Sequence, residues 1–192
     1  MFMRRLFPFS DKGVIAESLR FAVIAALIVI PFRYWVAQPF IVRGASMDPT
    51  FFDGEYLVID ELSYHFRKPQ RGEVVVLRSP ELPRVFLIKR VIGLPGETVV
   101  IANGRVAIER SGELAYLEEP YLAAQTRTYP DARTTLGTDE YFVLGDNREP
   151  SLDSRRLGSV AGELITGRTL VRLWPAARAQ VVTGTVGARP EQ

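Results

Sequence analysis

Cysteine is absent from the 192 residues and histidine occurs once, at His65. Disulfides, thiolate metal sites, a cysteine nucleophile and a histidine-rich metal centre are therefore excluded. Neither charge sign dominates, with 24 Lys and Arg against 22 Asp and Glu, so a dedicated nucleic-acid surface is not indicated. What the chain does have is 47% apolar residues, enough to bury one core without disulfides, which leaves the compartment open. Its length suits one domain of ordinary size plus an appendage.

The main compositional break is the twelve charge-free residues Phe21 to Phe32, bracketed by Arg20 and Arg33. A bilayer core needs roughly 20 helical residues, so three readings compete: a span, a cleaved signal sequence, or a buried helix. A helix over 16–37 puts Arg20 and Arg33 near its ends, where long side chains snorkel, with Tyr34 and Trp35 as an aromatic anchor. A cleaved signal wants small residues at the cut, and Tyr34 to Pro39 offers no Ala-x-Ala pattern. The span fits best. Arg4, Arg5, Lys12 and Arg20 precede it, which favours a cytoplasmic tail over 1–15 and an extracytoplasmic body over 38–176.

In the body, short β-branched runs alternate with turn signals. Strands are expected over Glu55 to Ile59, Glu73 to Leu77, Arg84 to Ile92, Glu97 to Ile101, Arg105 to Ile108, Glu140 to Leu144 and Thr169 to Leu173. Asp53-Gly54, Arg71-Gly72, Leu94-Pro95-Gly96 and Asn103-Gly104 punctuate them, the last as a hairpin turn. A short helical turn is expected within Gly158 to Ile165. Residues 111–138 are poorly periodic and read as a long excursion, a lid or small cap. Residues 177–192 have few bulky apolar side chains and read as a loose tail.

The search for chemistry proceeds by elimination. There is no Gly-x-Ser-x-Gly elbow, and His65 has no recognisable serine partner, so a Ser-His-Asp triad is disfavoured. A serine activated by a lysine remains, and that amine is a base only if burial depresses its pKa. Ser46 lies in Gly44-Ala45-Ser46-Met47-Asp48-Pro49-Thr50, where small residues and a proline turn can hold a hydroxyl exposed. Lys89 lies inside an apolar strand, where alternation puts Val85, Leu87, Lys89 and Val91 on one face and Phe86, Ile88, Arg90 and Ile92 on the other. A burial-depressed pKa is expected for Lys89. Each feature alone is weak, since a turn serine usually caps and a strand lysine usually snorkels.

A third segment, Gly145-Asp146-Asn147-Arg148-Glu149-Pro150-Ser151-Leu152-Asp153-Ser154-Arg155, is denser in polar groups than a plain loop requires. In this order, with Ser46-Met47-x-Pro49-Thr50 and Lys89-Arg90-x-x-Gly93-x-Pro95-Gly96-Glu97, the three motifs resemble the bacterial type I signal peptidases, membrane-anchored Ser-Lys proteases that remove signal peptides. The resemblance runs from about Pro39 to Pro175, and the N-terminal segment is similar to the family's anchor.

The resemblance implies a mostly β fold, an antiparallel β-barrel-like catalytic domain with a small cap, preceded by one transmembrane helix. It implies that Ser46 is the nucleophile, Lys89 the general base, Ser151 the serine that orients the lysine amine, and Asp153 with Arg155 a bracing ion pair. The Ser46 backbone N–H would supply one oxyanion donor. The second donor is unassigned, because Gly44 stands where some members carry a serine. Glu55 after Gly54, where aspartate is commoner, and Pro150 are further departures. No metal or organic cofactor is implied. Implied partners are preproteins cut at Ala-x-Ala sites, the lipid bilayer of the bacterial cell membrane and the nearby secretion translocon, with no nucleic acid. Substrate would bind as an extended strand beside the segment before Ser46 and the strand before Lys89. Phe40, Phe51 and Phe52 flank the nucleophile and are read either as bilayer-dipping or as core. Two rivals are a soluble self-cleaving Ser-Lys peptidase of the SOS-repressor type, which would want an N-terminal DNA-binding domain, and a silent anchored domain that binds extended peptides.

Overall fold

Glycine-marked turns and alternating apolar residues yield a chain of antiparallel strands. The computed structural model describes residues 17–25, 27, 38–182 and 188–190. The expected tail over 1–15 and most of the expected anchor over 16–37 lie outside the described residues. Residues 17–25 are helical, and among the described residues no helix is long and apolar enough to cross a membrane.

From residue 38 onward the strands are β1 (Gln38–Ile41), β2 (Tyr56–Asp60), β3 (Val74–Arg78), β4 (Phe86–Gly93), β5 (Thr98–Ala102), β6 (Arg105–Arg110), β7 (Glu113–Leu117), β8 (Ala132–Thr135), β9 (Glu140–Leu144), β10 (Val160–Ala161), β11 (Ile165–Trp174), β12 (Gln180–Val181) and β13 (Ala188–Pro190). Eight of them form one sheet in the order β1-β2-β11-β3-β4-β9-β10, with β12 on β11, and five form a second in the order β13-β7-β6-β5-β8. The seven strands expected from periodicity are present as β2, β3, β4, β5, β6, β9 and β11, with ends shifted by up to four residues.

β3 explains its own sequence. Val74 and Val76 face a cluster with Val42, Met47, Phe51 and Ile88, while Val75 and Leu77 face another with Val91, Tyr141 and Val143. Burial on both faces accounts for a continuous rather than alternating apolar run. A third cluster, of Ile92, Val99, Ile101, Phe142 and Leu144 among others, joins the two sheets. β4 passes into it at Gly93, where an added Cβ would stand 2.4 Å from Val99 and 2.7 Å from Leu136. Only glycine fits there.

The large sheet is curled but not closed into a barrel. β1 and β4 are separated by three strands in the sheet order, yet Phe40 and Phe86 meet edge to face with ring centroids 5.8 Å apart. Register shifts in β11 between Thr169 and Val171 and between Arg172 and Trp174 supply the bending.

Other expectations differ from the structure in part. Ser111 and Gly112 both adopt positive φ and close a second tight hairpin, so β7 returns directly onto β6 and β8 pairs with β5. Residues 113–117 and 132–135 thus join a sheet, while 118–131 between them hold no strand. The short helical turn expected within Gly158 to Ile165 is present as the 3-10 turn Gly162–Leu164. A further, α-helical turn, not expected from the sequence, lies at Ser154–Leu157, where Asp153 caps it by accepting from the Arg155 N–H and Gly158 ends it at φ 75°. Residues 180–181 and 188–190 of the expected loose tail pair as β12 with β11 and β13 with β7. Such pairing uses backbone groups and needs no bulky side chains. Phe51 is fully buried, which places it in the core and removes it from any bilayer contact; that burial contributes roughly 2–3 kcal/mol.

Candidate active site

The nucleophile turn follows β1. Gly44, at φ 83°, swings the chain round, and its N–H donates to Asp53 Oδ1 at 2.7 Å. Met47 and Phe51, both wholly buried, pin the following turn into the core and leave Ser46 between them and solvent, partly exposed. Behind the turn Arg172 donates to the Thr50 carbonyl at 2.8 Å and to Glu55 at 3.0 Å, and Arg178 pairs with the same Glu55 at 2.7 Å. The glutamate that departs from the commoner aspartate thereby meets two arginines, Oε2 accepting a hydrogen bond and Oε1 making an ion pair alone. The Ser46 N–H donates to no described acceptor.

Lys89 projects from the middle of β4 and is 2% exposed. Its Nζ stands 2.9 Å from Ser46 Oγ and donates to the Ile88 carbonyl at 2.8 Å. Direction in the first bond follows protonation: the ammonium donates to Oγ, whereas the neutral amine accepts the serine proton. No carboxylate pairs with Lys89 among the described residues. Burial lowers its pKa to about 8, with the Arg155 charge acting in the same sense and the charges of Asp153 and Asp146 opposing.

The third segment wraps behind the dyad. Gly145 is obligatory, since a Cβ there would stand 2.2 Å from Ser151 Oγ and 2.5 Å from the Ser46 carbonyl oxygen. Its N–H donates to Asp153 Oδ2 at 3.0 Å. Arg155 grips the same carboxylate through two bonds, at 2.9 and 2.8 Å, and donates to the Tyr129 carbonyl at 2.9 Å. Burial works to raise the Asp153 carboxyl, but the bonds from Arg155 and Gly145 outweigh it and hold the group below its ordinary value. Ser151 Oγ is buried close enough to Asp153 to favour its charge, yet makes no hydrogen bond of normal geometry, to Lys89 or to any other group. The structure therefore unites Ser46, Lys89 and the Asp153–Arg155 pair, with Ser151 beside them but without the bond to the lysine amine.

Sequence reasoning missed the residues that fasten these pieces together. Arg90 forms a buried two-bond pair with Asp146, Nε to Oδ1 at 2.8 Å and Nη2 to Oδ2 at 2.6 Å, and donates to the Gly72 carbonyl at 2.8 Å. Thr50 Oγ1 donates to the same Asp146. One carboxylate thus links all three motifs. Asn147 donates from its backbone to the Ser46 carbonyl at 3.1 Å and from its side chain to the Ala45 carbonyl at 3.0 Å. Arg148, buried, pairs with Glu119 and donates to the Gly145 carbonyl at 3.0 Å. The available signal was a second cation beside Lys89 in an apolar strand: a buried guanidinium demands a carboxylate, and Asp146 stands in the polar segment.

A cavity of about 650 Å³ opens over the dyad, lined by Phe40, Ile41, Val42, Val85, Phe86 and Leu87, by the exposed Arg43 and Arg84, and by Ser46 and Lys89. β1 pairs only with β2, and residues 86–89 of β4 pair only with β3, because β9 joins β4 from Arg90 onward. Two strand edges unpaired among the described residues therefore border one groove. His65 is exposed, its Nδ1 3.2 Å from the Glu61 carbonyl oxygen. Among the described residues no group of three His, Cys, Asp or Glu side chains could hold a metal.

Comparison with known proteins gives concordant matches. The family model for signal peptidase, peptidase S26, matches residues 15–174. The chain is 36% identical over 179 residues to a signal peptidase I of Leptolyngbya laminosa, covering 89% of this chain and 85% of that one. It is 37% identical over 166 residues to a probable signal peptidase I-2 of Synechocystis, covering 84% and 74%. Against a signal peptidase I of Bacillus amyloliquefaciens, identity is 32% over 184 residues, covering 88% and 93%. A crystal structure of a signal peptidase I from Enterococcus faecalis V583 aligns at 31% identity and TM-score 0.45, over 53% of this chain and 97% of that one.

Proposed function

The chain belongs to the S26 family of signal peptidases and removes signal peptides from preproteins, and we propose that it does so with Ser46 as nucleophile and Lys89 as general base. One observation carries this reading: an amine that is 2% exposed and 2.9 Å from the serine hydroxyl. A buried lysine without a carboxylate is costly to charge, so near neutral pH a usable fraction is a free base.

Neutral Lys89 takes the Ser46 proton as Oγ attacks the scissile carbonyl, and the oxyanion forms against the free Ser46 N–H. Lys89 then passes that proton to the departing amine, leaving an ester on Ser46. Water, deprotonated by the same amine, hydrolyses the ester and restores the serine. Asp153 and Arg155 act through the backbone that holds Gly145 and Ser151, and Ser151 steadies the amine as it changes charge. The substrate lies as an added strand in the groove between β1 and residues 86–89, with small side chains at positions −1 and −3 before the cut.

Residues 16–37 serve as a membrane anchor with a cytoplasmic N-terminus and an extracytoplasmic body, which brings the site to the bilayer surface beside the translocon. In support, Leu19, Phe21, Val23, Ile24 and Leu27 all present exposed apolar side chains. The test is cleavage of a full-length preprotein with an Ala-x-Ala site by purified protein in detergent. Cleavage there, lost in folded Ser46→Ala and Lys89→Ala, is expected. Cleavage that survives either substitution would overturn the dyad.

A further inference from the structure

A second cavity, of about 600 Å³, adjoins the nucleophile turn and shares no lining residue with the apolar groove. They are linked through Ser46 and its hydrogen-bond partner Asn147. Ser46 lines the groove, while Asn147, bonded to the Ser46 and Ala45 carbonyls, lines the second cavity together with Ser151. The groove is the more apolar of the two, although the exposed Arg43 and Arg84 also line it. Four arginines line the second one, of which Arg148 and Arg155 are neutralised by Glu119 and Asp153. The other two, Arg127 and Arg156, are exposed and form no ion pair among the described residues, opposed only by the exposed carboxylate of Glu149.

An extended chain advances about 3.3 Å per residue. A substrate whose residues before the cut fill the apolar groove must therefore carry those after it past Ser46 within one or two residues. We propose that the arginine-lined cavity receives the first residues of the released chain, and that Arg127 and Arg156 favour an acidic side chain there over a basic one. This rests on the reading of Ser46 and Lys89 as the dyad. Selection then includes a charge preference after the cut, beside the fit of small side chains before it. Partly exposed ion pairs are individually weak, so two of them give a preference of about three- to tenfold.

The test uses the full chain in uncharged detergent with three preproteins identical up to the cut and carrying Glu, Gln or Lys at positions +2 and +3. Wild type is expected to show kcat/KM in the order Glu, Gln, Lys, narrowing at high salt. Arg127→Glu with Arg156→Glu inverts the order, and Arg127→Gln or Arg156→Gln alone narrows it, which keeps the test decisive should the double variant fold poorly. Equal rates on all three substrates with wild type, or an unchanged order in the folded variants, overturns the subsite while leaving the dyad standing. Failure of wild type to cut any of the three overturns the dyad and the subsite with it. Equal rates in detergent, with an arginine-dependent response only to phosphatidylglycerol vesicles, would assign the cavity to a lipid headgroup and overturn the proposal.

Discussion

The two faces of β4 carry buried cations one residue apart and treat them in opposite ways. Arg90 meets a two-bond carboxylate, a carbonyl and the Tyr121 ring 3.8 Å from its guanidinium carbon. Lys89 meets one hydroxyl and one carbonyl. The paired cation fastens the three motifs; the unpaired one is left able to give up its proton. A side chain's burial alone does not separate structure from chemistry here, because both are at most 5% exposed. What separates them is whether a carboxylate has been supplied.

Substitutions that confuse the two roles should have the largest effects. Lys89→Arg keeps a cation on that face but cannot be deprotonated, so peptidase activity should fall at least about 10⁴-fold, as in Lys89→Ala. Residual cleavage within tenfold of wild type would sink the general-base role. Arg90→Met leaves Asp146 buried without its partner and should cost about 3–5 kcal/mol in denaturant unfolding, with Arg90→Met/Asp146→Leu recovering most of it. Equal losses in the single and double variants would mean that the pair is not the fastening.

Lys89→Met should do the reverse and stabilise the inactive protein by about 1–3 kcal/mol at pH 7. The pH dependence gives this a distinct mark. The folded-state pKa of Lys89, about 8, lies below its ordinary 10.5, so between these values the unfolded chain holds a proton that the folded chain has released. Wild-type stability therefore rises through that window. The advantage of Lys89→Met is full below pH 8 and fades toward pH 10.5; an advantage constant with pH would contradict it. Ser151→Ala should have the smallest effect on stability, within about 1 kcal/mol, because the buried hydroxyl makes no bond of normal geometry. A roughly tenfold fall in kcat with unchanged KM would show that the hydroxyl still steadies the amine during turnover.

This contrast also marks the limit of what the sequence made legible. Strands bounded by Asp-Gly, Pro-Gly and Asn-Gly turns were readable because turn chemistry is local. Elimination left a serine activated by a lysine and made Ser46 and Lys89 candidates, the resemblance of the three ordered motifs assigned them, and alternation set Lys89 and Arg90 on opposite faces. Alternation says nothing about what a face meets, however, so the long-range partners stayed hidden: Asp146 for Arg90, Glu119 for Arg148, Glu55 for Arg172. Residues 113–117 and 132–135 were missed as strands because they lie at or beside a sheet edge and, Leu117 apart, carry exposed or half-exposed side chains, which blurs periodicity. Phe51 could not be told from Phe52 by composition. Only the turn that Gly44 starts sends the first into the core and leaves the second at the surface beneath Arg178, 4.2 Å from its ring.

The central claim, that a lysine left unpaired by the fold acts as a neutral base, is most directly tested by kcat/KM for preprotein cleavage as a function of pH. The account predicts a rate that is level above about pH 8 and falls tenfold for each pH unit below it, following the Lys89 pKa of about 8. A rate that stayed flat down to pH 6, in a protein still folded there, would contradict it.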